Sequence, residues 1–446
     1  MLSPVIFDRF DMGFSLAVHI LLVIIGMILP VFILCAEIIG TKMKDRYYLA
    51  LARRLTLAFV VFFGVGTASG TLVAANLLFL WPKFMAFVGQ VAILPVYAEV
   101  FAFFLEAVFI GVYIYSADKF RSRYAHAAVM VLIAIGAALS AVFITMLNAF
   151  MNTPTGFNIG AYLSTGKLVS LSPLAVFNTP STLVEVAHVV ATSYFAGIFV
   201  LVAYFAFRLL SAGKRNEEVR IYYRKALSLA LVIALFATFA AIATGLITIS
   251  SLYSIQPEKY AALELDLYPT SHAPELIGGF YSNGRIVDAI AIPNLQSILA
   301  TGSAAGVVPG LSSYPKNTWP PLFVHFMFDT LVFFAFAMGA FFILLLILKF
   351  AKIDLLRNRY VMYLYIIAAV VAVFLLEDGW IMSEIGRQPW IIYSVMTVAQ
   401  AANYSASTIP IAIAVVLFYA FILPFTAFIL KLIFSNRQLE LDLGIK

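Results

Sequence analysis

The sequence has little charge: of 446 residues only 11% are Asp, Glu, Lys or Arg. Soluble globular chains carry about 25%, so an ordinary soluble domain is excluded. Cysteine is almost absent. The one copy, Cys35, lies inside an apolar run, so there is neither a disulfide framework nor a C-x-x-C-H haem-attachment motif. No internal repeat or low-complexity tract breaks the chain. The first apolar run lacks a basic leader and a small-residue cleavage site, and it holds a histidine, so it does not read as a cleavable signal.

Long apolar runs dominate, with 63% hydrophobic residues. Nine are long enough for the roughly 20 residues that cross a bilayer: about 14–38, 55–80, 91–115, 126–150, 183–208, 226–250, 322–348, 360–382 and 409–434. Lys and Arg stay on the cytoplasmic side. With the N-terminus outside, the segments after spans 1, 3, 5, 7 and 9 hold five, three, six, four and three of them, counting Arg208 and Lys431 at the inner ends of spans 5 and 9. All other segments together hold seven. The reading is an all-α integral membrane protein with nine transmembrane helices, N-terminus outside and C-terminus cytoplasmic. The net charge of +6 follows from topology, and no nucleic-acid partner is implied. The chain divides into a six-helix part (1–250), a long outer loop after helix 6 (251–321) and a three-helix part (322–446).

Titratable groups in a bilayer cost several kcal/mol, so each one suggests function. They are His19, Glu37, Glu99, Glu106, Glu185, His188, His325, Asp329, Glu377 and Asp378. His19, His188, His325 with Asp329, and Glu377 come from four spans and fall in one outer layer. Helix bundles build cofactor sites from facing helices in this way. Such ligands suit a metal ion or a haem iron, and 41 Phe and 22 Tyr favour a large flat cofactor. Lipid-facing Phe is the plain alternative, as a satisfied hydrogen bond is for any single histidine. Glu99 and Glu106 are seven residues apart on one face of span 3 and read as a proton relay. Ser140 and Asn148 on span 4 extend the polar path; a pair of structural hydrogen bonds is the alternative.

Several motifs together resemble subunit I of the cytochrome bd quinol oxidases over essentially the full length. They are "RFDMGFSLAVH" (9–19), "AEVFAFFLEAVFIG" (98–111), "NTPTGF" (152–157), "VEVAHVVATSYFAG" (184–197), "QPEKYAALE" (256–264), "LEDGW" (376–380) and "EIGRQPW" (384–390). The resemblance implies haem b (low-spin), haem b (high-spin) and haem d. It implies a second, subunit II-like membrane partner, membrane quinol and O2 as substrates, and the plasma membrane of a prokaryote. His19 would ligate haem d, His188 the low-spin haem b and Glu377 the high-spin haem b. Arg9, Arg387, Gln388 and Trp390 would line the cofactors, and Lys259 and Glu264 would bind quinol. Glu99 and Glu106 would carry protons to O2, which is reduced to water without pumping.

The pattern also departs from the family. Its low-spin haem takes a methionine where "FDTLV" (328–332) has Leu331, which leaves Met327, His325 or no sixth ligand. The two glutamates are seven apart instead of eight. Leu246 replaces the acid that follows the glycine of "TGLITISS" (244–251). These departures keep open a catalytically altered scaffold paralogue, with fewer haems or a non-quinol donor. A proton- or ion-coupled transporter fits less well, since inverted repeats and broken mid-membrane helices are missing.

Overall fold

The computed structural model describes residues 4–116, 119–211, 217–405 and 408–443. Among them, nine helices are long and apolar enough to cross a membrane. They are span 1 (Pro4–Met43), 2 (Arg46–Leu80), 3 (Leu94–Tyr115), 4 (Arg123–Asn152), 5 (Thr182–Ser211), 6 (Glu217–Ile255), 7 (Val324–Phe350), 8 (Arg359–Ile385) and 9 (Thr408–Ile433). Their apolar side chains suit lipid, and a helix pairs every backbone group internally. Short side chains close the free N–H groups at several starts. Asp45 caps span 2, Ser122 caps span 4 and Asn358 caps span 8.

Spans 1 and 6 have 40 and 39 residues, about twice what a bilayer needs, so both project beyond it. Span 1 starts ten residues before the apolar run does, and Asp8 and Asp11 lie inside the helix, fully buried. Arg9 is tied to Gln388, its Nη2 donating to Oε1 at 3.0 Å. Charges on a helix that is packed at that end do not stop it.

Span 1 packs on spans 2, 4, 5 and 9, span 3 on span 4, span 5 on spans 6 and 8, and span 7 on span 8. One end of the bundle carries the basic connections and the other carries the long loop. At the basic end Arg54 is buried, donating to Asp442 and to the carbonyl of Ile433, both at 2.8 Å.

A dense core of Ile28, Phe32, Phe59, Ile133, Phe199, Phe205 and Tyr365 fills the basic half of the bundle. Towards the loop end His19 and His188 are themselves only half-buried, while Asp8, Asp11 and Ser15 are fully buried and Leu80, Phe84, Phe87, Phe150 and Ile392 form a second core. The two cores flank the layer of titratable groups that includes His19 and His188.

The long loop is not featureless. A short helix, Pro257–Leu263, is followed by three nested antiparallel strand pairs: 270–271 with 307–308, 275–277 with 290–292, and 280–282 with 285–287. After span 8, Trp390–Ile392 pairs with Met396–Thr397. These short ribbons are the β content of an otherwise helical fold.

Candidate functional site

Two histidines are held in the same way. His19 Nδ1 lies 2.8 Å from Ser69 Oγ, on span 2. The Ser69 hydroxyl donates its only proton to the carbonyl of Gly66, 2.9 Å away, so it accepts from the ring. The proton of His19 is thus on Nδ1, and Nε2 keeps a free lone pair. On the other side of the bundle, His188 Nδ1 lies 3.1 Å from Thr244 Oγ1 on span 6. Thr244 donates to the carbonyl of Ala240 at 2.8 Å, and the same logic frees Nε2 of His188.

A glycine follows each hydroxyl residue and leaves room beside the ring. A Cβ on Gly70 would sit 3.1 Å from His19 Cε1, and one on Gly245 3.4 Å from His188 Cε1. Oriented imidazoles with an outer hydrogen bond on one nitrogen are what an iron ligand requires.

Glu377 completes the layer. One carboxyl oxygen accepts from Trp380 Nε1 at 2.8 Å, while Oε1 is buried without a partner. Arg387 donates from Nη1 to Asn152 at 2.8 Å and from Nη2 to Glu384, but its Nε is a buried donor with no acceptor. Trp390 Nε1 is orphaned likewise. Two free imidazole nitrogens, one free carboxylate oxygen and two orphaned donors fit iron porphyrins bearing propionates.

Leu331, His325 and Met327, the residues weighed as a sixth haem ligand, sit in different surroundings. Leu331 packs inward, its Cδ1 3.3 Å from where a Cβ on Gly379 would be. His325 is buried, with Nδ1 2.6 Å from the Leu263 carbonyl and Nε2 3.0 Å from that of Gly278 and 3.5 Å from the Asp329 carboxylate. Both ring nitrogens face loop or helix oxygens, so neither is turned towards an iron. Met327, half-buried one turn from Leu331, is left unengaged.

Glu99 and Glu106 differ in their surroundings. Glu99 accepts from Ser140 Oγ at 3.0 Å, whereas Glu106 is buried against Gly136. Asn148 donates to Glu384 at 2.8 Å, and Asn152 donates to Asn148 at 3.0 Å and to Glu185 at 2.8 Å. Asn148 therefore belongs with Arg387 in a polar network at the loop end, not with Glu106.

Lys259 lies in the short loop helix and Glu264 directly follows it, and the two face different neighbours. Lys259 Nζ donates to the carbonyl and hydroxyl of Ser383, at 3.0 and 3.1 Å. Burial lowers its pKa to about 8; Glu185 and Glu384 oppose the shift and Arg387 adds to it. Lys259 lines a small cleft with Arg387, Gln388, Trp390, Tyr393 and Glu258. Glu264 sits beside Glu275, Asp266 and Asp329; burial first, then those acids, holds its carboxyl far above the usual range.

A family model described as "Cytochrome bd terminal oxidase subunit I" matches residues 7–438. The chain belongs to that family. The solved bd oxidase of Geobacillus thermodenitrificans superposes with a TM-score of 0.87 at 35% identity, covering 97% of this chain and 99% of that one. A Bacillus subtilis (strain 168) protein, provisionally named cytochrome bd menaquinol oxidase subunit I, is 34% identical over 99% of both chains. The cytochrome bd ubiquinol oxidase subunit 1 of the same strain is 28% identical over 90% of this chain and 86% of its own. Membership makes this chain a multi-pass membrane component of a respiratory oxidoreductase.

Ser69, Thr244, Trp380, Asn152 and Glu185 carry parts of the site that sequence reasoning did not assign. The signal for the first two is a hydroxyl residue followed by glycine, Ser69–Gly70 and Thr244–Gly245, on spans adjoining a histidine span.

Proposed function

We propose that the chain is the haem-bearing subunit of a terminal oxidase that takes electrons from quinol and reduces O2 to water. The observation that carries this reading is the repeated arrangement at His19 and His188. Each ring has Nδ1–H fixed by a hydroxyl, Nε2 free and a glycine alongside. His19 would hold the iron of haem d, His188 and Met327 that of low-spin haem b, and Glu377 that of high-spin haem b. Bound haems would supply the electron transfer and O2 activation.

The remaining work falls to the chain itself. Lys259 and Glu264 would receive quinol at the loop end, the lysine as donor to a quinol oxygen and the Glu264 carboxyl as a hydrogen-bonding partner. Arg387 Nε and Trp390 Nε1, with Arg9 and Gln388 nearby, would hold propionates; arginine suits a carboxylate. Glu106, Glu99 and Ser140 would bring protons from the basic end, and the loop-end network containing Asn148 would steady Arg387. With the loop end outside, quinol protons leave outside and consumed protons come from the cytoplasm. That charge separation builds a proton motive force without pumping. A subunit II-like partner would cover part of the apolar outer surface in a prokaryotic plasma membrane.

Leu331 in place of the family methionine favours one second reading, a scaffold paralogue with fewer haems or a non-quinol donor. O2 uptake by the purified complex with reduced naphthoquinol and benzoquinol analogues separates the two. Uptake that is lost in Lys259→Met at low quinol supports the oxidase; no uptake with any quinol supports the paralogue.

A further inference from the structure

Glu37, His126 and Tyr113 make a buried polar cluster at the basic end that the oxidase reading leaves unused. Glu37 lies in the last two turns of span 1, Tyr113 in the last turn of span 3 and His126 in the first turn of span 4. Tyr113 O–H donates to Glu37 Oε2 at 2.7 Å. His126 Nδ1 is 2.6 Å from Glu37 Oε1, and Nε2 is 2.9 Å from the Tyr113 carbonyl. The imidazole stacks on the Tyr113 ring at 3.9 Å, and Phe120 covers it at 5.9 Å. Arg123 and the Thr56 hydroxyl lie near the phenol.

The carbonyl of Tyr113 only accepts, so Nε2 keeps its proton. One further proton then lies between Nδ1 and Oε1, on the ring or on the carboxyl. The pair therefore stores one exchangeable proton in a fixed frame. As a mere clamp it is a poor choice. Burying ionisable groups costs desolvation, and a well-packed apolar trio is often as stable or more so.

Its position is more telling. Tyr113, Glu106 and Glu99 follow one another at seven-residue steps on one face of span 3, about 10 Å of rise per step. Antiparallel span 4 accompanies them in order. His126 meets Tyr113, a Cβ on Gly136 would come 3.2 Å from Glu106 Cβ, and Ser140 donates to Glu99. The cluster is the first titratable station on the line that leads to the relay acids.

We propose that Glu37, His126 and Tyr113 form the proton-loading station that supplies Glu106. The proposal rests on the oxidase reading above. A proton from water at the basic end binds between His126 and Glu37. It then crosses the turn held by Ile110 and Ile133, both buried, along a transient file of waters. The Glu106 carboxylate accepts it and becomes the acid. The pair returns to its unloaded form, and no electron moves.

Glu37→Gln in the purified whole complex tests this, because glutamine keeps the shape and part of the hydrogen bonding but cannot load a proton. The haem spectrum and anaerobic reduction of the haems by quinol should be unchanged. O2-dependent turnover should fall by about 10²-fold, the lower range for loss of a positioned proton-transfer group. Proton uptake in a single turnover, read by a pH-indicator dye, should slow in step. Parental turnover and uptake in Glu37→Gln overturn the proposal. If that variant does not assemble, His126→Gln repeats the measurement from another helix; failure of both to assemble assigns the cluster to a structural clamp and also overturns it. A parental complex without haem removes the oxidase reading itself, an outcome distinct from these.

Discussion

His19 Nδ1 donates to Ser69 Oγ across 2.8 Å, and the Ser69 proton is already committed to Gly66. The tautomer of a ligand-type histidine is thus set by a backbone carbonyl two bonds of the network away. Ser69→Ala removes the outer bond and leaves Nε2 in place. Loss of such a partner weakens metal affinity by about 10–100-fold. Haem extraction from the variant should show reduced occupancy of one high-spin haem, with the low-spin signal intact. Thr244→Val should do the converse at His188.

The two glycines beside the rings predict unequal tolerance. Gly70→Ala places a methyl at 3.1 Å from His19, tighter than ordinary contact, whereas Gly245→Ala places one at 3.4 Å from His188, which is ordinary contact. Gly70→Ala should perturb the high-spin spectrum, and Gly245→Ala should leave the low-spin spectrum close to parental. Optical spectra of the two variants check this directly; equal effects would contradict the placement of the rings.

Met327 and His325 separate in the same way. Met327→Ala should convert the low-spin signal to high-spin. His325→Ala should preserve that signal, because both its nitrogens face Leu263 and Gly278. It should instead loosen the 251–321 loop and, if quinol binds there, raise KM for quinol. Magnetic circular dichroism, with KM measured alongside, distinguishes the two.

Lys259 sets a pH dependence. Its pKa is lowered by burial to about 8, so the ammonium is present below that pH and is lost as pH rises through it. A cation that donates to a quinol oxygen is then lost, and KM for quinol should climb above about pH 8. Lys259→Met should show a raised KM without that pH step. A flat parental KM profile across the same window would contradict a charged role for Lys259.

Much of this was legible in the sequence. The spans are readable because lipid demands long apolar runs, and His19, His188 and Glu377 stand out because such groups are costly there. The start of span 1 was not legible: Asp8, Arg9 and Asp11 look like a terminus, yet packing against neighbouring spans buries both acids. The hydroxyl–glycine pairs were hidden as well, since Ser69 and Thr244 gain meaning only from histidines 50 and 56 residues away in sequence. His325 reads as a ligand by depth alone. Its engagement by two loop carbonyls depends on how 251–321 folds back, which periodicity does not encode.

The central claim is that His19, His188 and Glu377 hold haem. A reduced-minus-oxidised optical spectrum of the purified complex, with haem extraction, tests it most directly. The account predicts a chlorin band together with low-spin and high-spin haem b. A complex without haem would contradict it.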